Sequence, residues 1–207
     1  GVGLFRSEFL FMGRQGDLPN EEEQYQAYRR AVEGMQGLPV TIRTVDVGAD
    51  KPLDAAVHDA AHLNPALGLR AIRWSLADPA MFRTQLRAVL RAAAHGRVNL
   101  LFPMIAHVSE IHQALAQVDL ARAELDARGV AYGPVRLGAM IEVPAAAIGV
   151  YGLVDAVDFM SIGTNDLVQY MLAVDRNNDA LGDLYSPLHP GVLRLLAHVI
   201  GAGEQSG

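Results

Sequence analysis

The run Val157-Asp158-Phe159-Met160-Ser161-Ile162-Gly163-Thr164-Asn165-Asp166 decides the fold. A short apolar, β-like stretch reaches Ile162 and breaks at Gly163. Thr164, Asn165 and Asp166 then suit the start of a helix. One such strand, polar turn and helix make a βα unit, and the pattern recurs upstream. Val2–Phe5 meets Arg6-Ser7-Glu8, and Pro39–Ile42 ends in Arg43-Thr44-Val45-Asp46. Val98–Ile105 precedes a helix over Ser109–Arg128, and Val135–Val143 carries Glu142 just before Pro144, a residue well placed in a first helical turn. Asn20 is expected to cap a helix over Glu21–Gly34, whose leading acids favour a helix N-terminus. Further helices are expected over Pro79–Ala94 and from Pro190, with a long loop from Gly48 to about Leu67 and another around Asp175–Asp183.

Five βα units imply parallel strands with right-handed crossovers. An open doubly wound sheet and part of a (β/α)₈ barrel both satisfy that rule. The polar residues favour the barrel. Arg6, Arg43, Glu142, and Asn165 with Asp166 lie at or just past the carboxyl ends of four different strands, which is how a barrel builds its rim. A doubly wound sheet would gather its ligand groups at one switch point. The expectation is an α/β chain forming about five of the eight units of a barrel, as a single incomplete domain over residues 1–207. The opening Gly-Val-Gly-Leu-Phe, already in an apolar run, reads as a chain cut from something longer.

Composition narrows the functions. Apolar residues are 51% and charged residues 19% of the 207, so a packed core is available and global disorder is excluded. The net charge of −6, with no basic block, makes a poor general nucleic-acid binder. No cysteine is present, which excludes disulfides, a thiolate nucleophile and Cys-ligated zinc, and fits a cytoplasmic chain. The most apolar stretch, Leu137–Val154, is interrupted by Glu142 and Pro144 and, in its second half, by two glycines, so no membrane span is expected. Sixteen arginines accompany a single lysine, Lys51, which suggests a place where arginine would not serve.

Arg6, Arg43, Arg70, Arg176 and Lys51 are cations in or beside strand-end loops, and Asp46, Glu142 and Asp166 are anions in equivalent places. Clustered guanidinium groups suit a small polyanion bearing phosphate and carboxylate, both of which they bind bidentately. Carboxylates facing a phosphate ligand suit Mg²⁺. The backbone N–H groups opening a helix at Thr164–Asp166 would attract a phosphate. One such arginine alone is commonly a structural ion pair; the whole set points to a site. None of the seven histidines falls in a zinc-binding spacing, and there is no G-x-S-x-G or G-x-x-x-x-G-K-[ST] motif.

The runs GVGLFRSEFLFM, LPNEEEQYQAYRRAVEG, TIRTVDVGADK, NPALGLRAIR, LLFPMIAHVSEI, GAMIEVPAAA, SIGTNDLVQYMLAVDRNND and YSPLHPGVLRL closely resemble the enzyme I family of the bacterial sugar phosphotransferase system, the phosphoenolpyruvate–protein phosphotransferases. The resemblance runs in order from Gly1 to about Ile200 and covers the middle of that family's C-terminal barrel. It implies a domain that binds phosphoenolpyruvate (PEP) and Mg²⁺, with the phosphoryl group passing to a histidine on a separate N-terminal domain and then to the carrier HPr. Arg6 and Arg43 then resemble phosphate-binding arginines, Arg70 and Arg176 substrate-binding arginines, Asn165 a neighbour of the phosphate, and Glu142 and Asp166 the metal ligands. Lys51 sits in the matching Gly-Ala-Asp-Lys loop. The family's proton-donating cysteine and its phosphoaccepting histidine have no counterpart in this sequence, so the chain alone is expected not to turn over. The two glycines in Ile148–Asp155 stand where the family has a better helix. A homodimer is expected. Pyruvate phosphate dikinase or PEP synthase, a non-catalytic PEP-sensing module and a Mg²⁺-dependent aldolase are the competing readings.

Overall fold

Five parallel strands lie side by side in the order in which the chain makes them: β1 (Val2–Arg6), β2 (Val40–Arg43), β3 (Val98–Phe102), β4 (Val135–Ile141) and β5 (Phe159–Ile162). The structure, a computed structural model, describes residues 2–14, 17–47 and 64–206. Each crossover moves on by one place in the same direction. A doubly wound sheet would reverse its order partway, and no reversal occurs among the described strands. The architecture is therefore part of a (β/α)₈ barrel, as the rim residues imply.

The central strands read as buried on both faces, while the outer strands β1 and β5 have no fully buried residue. In β3 every residue but Asn99 is buried, the pattern of a parallel strand covered by helices on one side and barrel interior on the other. Val40 pairs with Val98, Leu100 with Leu137, and Gly138 with Phe159. Gly138 is dictated by packing. A Cβ there would stand 2.3 Å from the Phe159 ring, so the aromatic side chain covers the space that glycine leaves.

Nine α-helices occupy the described chain: α1 (Glu8–Phe11), α2 (Glu21–Gly34), α3 (Ala71–Ala77), α4 (Pro79–Ala93), α5 (Val108–Ala127), α6 (Pro144–Ile148), α7 (Tyr151–Val154), α8 (Thr164–Leu172) and α9 (Pro190–Gln205). Asn20 caps α2 as expected. Its side chain accepts from the Glu23 N–H while Glu23 accepts from the Asn20 N–H, the reciprocal capping box. Tyr28 and Val32 of α2, Phe82 and Leu86 of α4, and Ile111 and Val118 of α5 bury against Ile42, Leu100 and Ala139 of the sheet. Full burial of each large apolar side chain contributes roughly 1.5–3 kcal/mol, and this shared layer fixes where the strands end.

The departures from the expected elements are local. α1 and α3 were not foreseen, being four and seven residues long and lacking a full amphipathic repeat. β3 stops at Phe102 rather than Ile105 because Pro103 has no N–H for the ladder. β4 stops at Ile141, and Glu142 leaves the sheet. β5 begins at Phe159 rather than Val157. Around Gly149 the expected short helix divides into α6 and α7, both of which pack on α9. The loop around Asp175–Asp183 contains a 3₁₀ helix over Asp179–Leu184. Of the long loop expected over Gly48–Leu67, only residues 64–67 are described, with a 3₁₀ turn at Pro65–Leu67. Among the described residues, no helix is long and apolar enough to cross a membrane.

Candidate functional site

The carboxyl ends of the strands open into a cleft of about 780 Å³. β1 ends in Arg6, β2 ends in Arg43, Glu142 follows β4, and the first turn of α8, just past β5, supplies Asn165 and Asp166; all of them line the cleft. β3 contributes a backbone group instead. Past Pro103, the Met104 N–H donates to Glu142 Oε1 at 2.7 Å. Met104 sits at φ 58°, a left-handed conformation rarely adopted by a non-glycine residue and concentrated at functional sites.

Arginines and acids interlock across this cleft. Asp46 lies three residues past Arg43, with its side chain only 4% exposed. Its Oδ2 forms an ion pair with Arg43 Nη1 at 3.1 Å, and its Oδ1 accepts from Arg70 Nη2 at 2.8 Å. Glu8, the first residue of α1, takes a further N–H of Arg43. Arg176 donates to Asp166 Oδ1 at 2.9 Å, and Arg70 lies 3.6 Å from Asp166 Oδ2. The Tyr170 hydroxyl accepts from Arg70 Nη1 at 3.3 Å. Arg6 is exposed at the mouth and has no ion-pair partner among the described residues. Arg43 Nε is buried without a hydrogen-bond partner, so its acids do not exhaust its donors.

Glu142 is the most perturbed acid. Burial, followed by the charges of Asp46 and Asp166, pushes its carboxyl up to about 8 against the opposing pull of the Met104 N–H and Arg43. Oxygen atoms of Asp46, Glu142 and Asp166 lie within 4.8 Å of one another. Among the described residues four arginines and five acids (Glu8, Asp46, Glu142, Asp166 and Asp175) line the cleft, so even with Glu142 protonated the cations are only balanced. A divalent cation among the three clustered acids would add the positive charge that a small polyanion needs. The clustered donors are all hard carboxylate oxygens and so suit a hard divalent cation rather than a soft metal.

Of the sequence-derived site residues, Arg6, Arg43, Arg70, Glu142, Asn165, Asp166 and Arg176 all line one cleft. Lys51 lies outside the described residues. Sequence reasoning gave no role to Glu8, Met104 or Tyr170, and named Asp46 among the rim anions without assigning it a partner. Glu8 carried a signal, since it follows Arg6 by two residues at a strand end. Met104 carried none, because only its backbone takes part.

The chain is similar to known proteins along its whole length. The family profile described as "PEP-utilising enzyme, PEP-binding domain" matches residues 1–207. The phosphoenolpyruvate-protein phosphotransferase of Cupriavidus necator is 60% identical over 209 residues, covering 100% of this chain and 36% of that protein. Proteins of the same name from Streptococcus equinus and Geobacillus stearothermophilus are 48% and 47% identical, again over 100% of this chain and 36% of their own length. The chain thus spans 36% of the length of these curated relatives. A citrate lyase structure from Burkholderia xenovorans is 26% identical, covers 62% of this chain and 39% of its own, and superposes with a TM-score of 0.46. Matched along its whole length, the chain belongs to the PEP-binding domain family of PEP-utilising enzymes.

Proposed function

We propose that this chain binds phosphoenolpyruvate with Mg²⁺ and serves as the PEP site of a phosphoenolpyruvate–protein phosphotransferase. The observation that carries the reading is the convergence of Arg6, Arg43, Arg70 and Arg176 with Asp46, Glu142 and Asp166 on one cleft. The relatives' shared name supplies the reaction class. In this reading Arg6 and Arg43 hold the phosphate and Arg70 and Arg176 the rest of the substrate. Asn165 lies beside the phosphate, and Lys51 supports the site from its loop. Glu142 and Asp166 ligate the metal. Bound there, Mg²⁺ supplies charge neutralisation to phosphoryl and enolate oxygens.

The chain's own residues orient and neutralise. Bidentate guanidinium groups fix a phosphate and a carboxylate at a set separation, and their charge offsets that spreading over the transferring phosphoryl group. The acceptor is a histidine outside this chain, which passes the phosphoryl group to HPr; the donor leaves as pyruvate after protonation. The absence of cysteine fits a reducing, cytoplasmic setting. Ile148, Tyr151, Leu193 and Ile200 are more than 45% exposed on the adjoining helices α6, α7 and α9, and support a homodimer through that face.

Calorimetry with PEP and Mg²⁺ tests the binding step, and pyruvate release in the presence of HPr, measured on the intact parent protein, tests the transfer. Mg²⁺-dependent saturable binding is expected. Absence of PEP binding by the parent would overturn the reading. Light scattering tests the dimer, and a monomer at high concentration would remove it.

A further inference from the structure

We propose that Asp46 is a positioning residue whose carboxylate holds the guanidinium groups of Arg43 and Arg70 in register before any ligand arrives. The proposal rests on the PEP-binding reading of the cleft and adds to it the group that pre-organises two of its arginines. Asp46 divides its oxygens between them. Oδ2 forms an ion pair with Arg43 Nη1 at 3.1 Å, while Oδ1 accepts from Arg70 Nη2 at 2.8 Å and from Arg70 Nε at 3.3 Å. The two arginines come from different elements, Arg43 from the end of β2 and Arg70 from the residue before α3, and no other described acid contacts both at hydrogen-bonding distance.

The carboxylate is itself held. The Thr44 N–H donates to Leu101 O at 3.0 Å, the Val45 N–H donates to Gln85 Oε1 at 2.9 Å, and the Val45 side chain is fully buried. Asp46 therefore projects from a fixed backbone, as a supporting residue must. Its hold on the two partners is unequal. Among the described residues, Arg43 keeps Glu8 as a second acid, whereas the remaining contacts of Arg70 are the longer ones, to Tyr170 at 3.3 Å and Asp166 at 3.6 Å. Free arginines carry large rotamer entropy that a ligand would otherwise have to offset on binding. Asp46 also lies within 4.8 Å of Glu142 and Asp166, so its hold on the arginines has to be separated experimentally from a share in the metal.

Asp46→Asn separates these roles. In the ligand-free chain, nitrogen-15 spectra of the arginine Nε–H groups are expected to show a slowly exchanging Arg70 signal that is lost in the variant, while the Arg43 signal survives. An unchanged Arg70 signal overturns the proposal. With saturating Mg²⁺, PEP affinity is expected to fall at least about tenfold, while Mn²⁺ affinity measured by electron paramagnetic resonance without PEP stays within about threefold. Asp46→Asn in an Arg70→Ala background is expected to cost much less than it does alone, since the arginine it holds most strongly is gone. Full additivity, unchanged PEP affinity, or a parallel loss of Mn²⁺ affinity would each refute the positioning role. Should the asparagine variant fail to fold, Asp46→Glu carries the same tests, with partial recovery of the Arg70 signal expected and none refuting the role. Failure of the wild-type parent to bind PEP would overturn the PEP-binding reading instead, and the spectra would still decide whether Asp46 holds the arginines.

Discussion

Gly163→Ala should disable the metal cluster without unfolding the chain. Gly163 precedes α8 at φ −89°, ψ 79°, a conformation open to any L-residue, so alanine brings no backbone strain. The obstacle is Glu142. An ideal Cβ on Gly163 would lie 2.5 Å from Glu142 Oε2 and 2.7 Å from Glu142 Cβ. Ordinary contact begins at 3.4 Å. The carboxylate could rotate, but the Glu142 Cβ is fixed to the backbone at the end of β4, and its Oε1 is tethered to the Met104 N–H at 2.7 Å. The Gly163 N–H in turn donates to Ile141 O at 3.0 Å, which limits retreat on that side. Relief therefore comes from displacing the carboxylate, with an overpacking cost of about 1–3 kcal/mol and a loss of divalent-ion affinity of about 10–100-fold, the range for disturbing the surroundings of a ligand. Mn²⁺ titration followed by electron paramagnetic resonance, beside thermal denaturation, measures both. Gly182→Ala is the control, since a Cβ there meets nothing within 4 Å. Mn²⁺ affinity equal to wild type in folded Gly163→Ala would refute the reasoning that Glu142 must stay where this structure has it.

Three further expectations lie elsewhere in the molecule. Glu21 of α2 receives Arg87 and Arg91 of α4 at 2.7 and 2.8 Å and Arg128 at 2.8 Å; burial raises its carboxyl, but these arginines outweigh burial and hold it at about 2. Its folded value lies below the ordinary 4.5, so the stabilisation is complete above pH 4.5 and lost as pH falls towards 2. That gap corresponds to about 3 kcal/mol unscreened, reduced to ~1 kcal/mol by solvent around the partly exposed partners. Glu21→Gln should flatten urea-measured stability over that window, and an unaltered pH profile would count against the cluster. Ala173 ends α8 in a left-handed conformation at φ 53°, so Ala173→Gly should stabilise by about 0.5 kcal/mol, the relief of strain less the added freedom of the unfolded chain; a lower melting temperature would contradict this. Arg176 is 37% exposed in its side chain and pairs only with Asp166 among the described residues, so Arg176→Ala should weaken PEP binding about 100-fold while moving the melting temperature by less than about 2 °C. Loss of stability without loss of binding would make that arginine structural.

The sequence revealed the rim but not its wiring. An apolar strand run stops where polar residues begin, so Arg6, Arg43, Glu142 and Asp166 could be assigned to strand ends from local pattern alone. Their occurrence on four strands separated the barrel from the doubly wound sheet, and the sheet order agrees. The elements that escaped, α1 and α3, are too short to show a helical period. Which acid faces which cation was out of reach for a different reason. The Arg43–Glu8 pair spans 35 residues, the Arg70–Asp46 pair 24, and the Met104–Glu142 bond 38. No period links such positions, because side-chain direction at a strand end depends on the turn that follows. The Gly163–Glu142 contact shows the limit most clearly. In sequence Gly163 reads as the break before a helix. In the fold that helix start abuts the carboxylate of the preceding strand, and hydrogen there, rather than a methyl group, leaves Glu142 its place beside Asp46 and Asp166. A residue chosen for its missing side chain leaves no chemical trace of its own; its role becomes visible only when β4 and β5 are paired through Ile141 and Ile162.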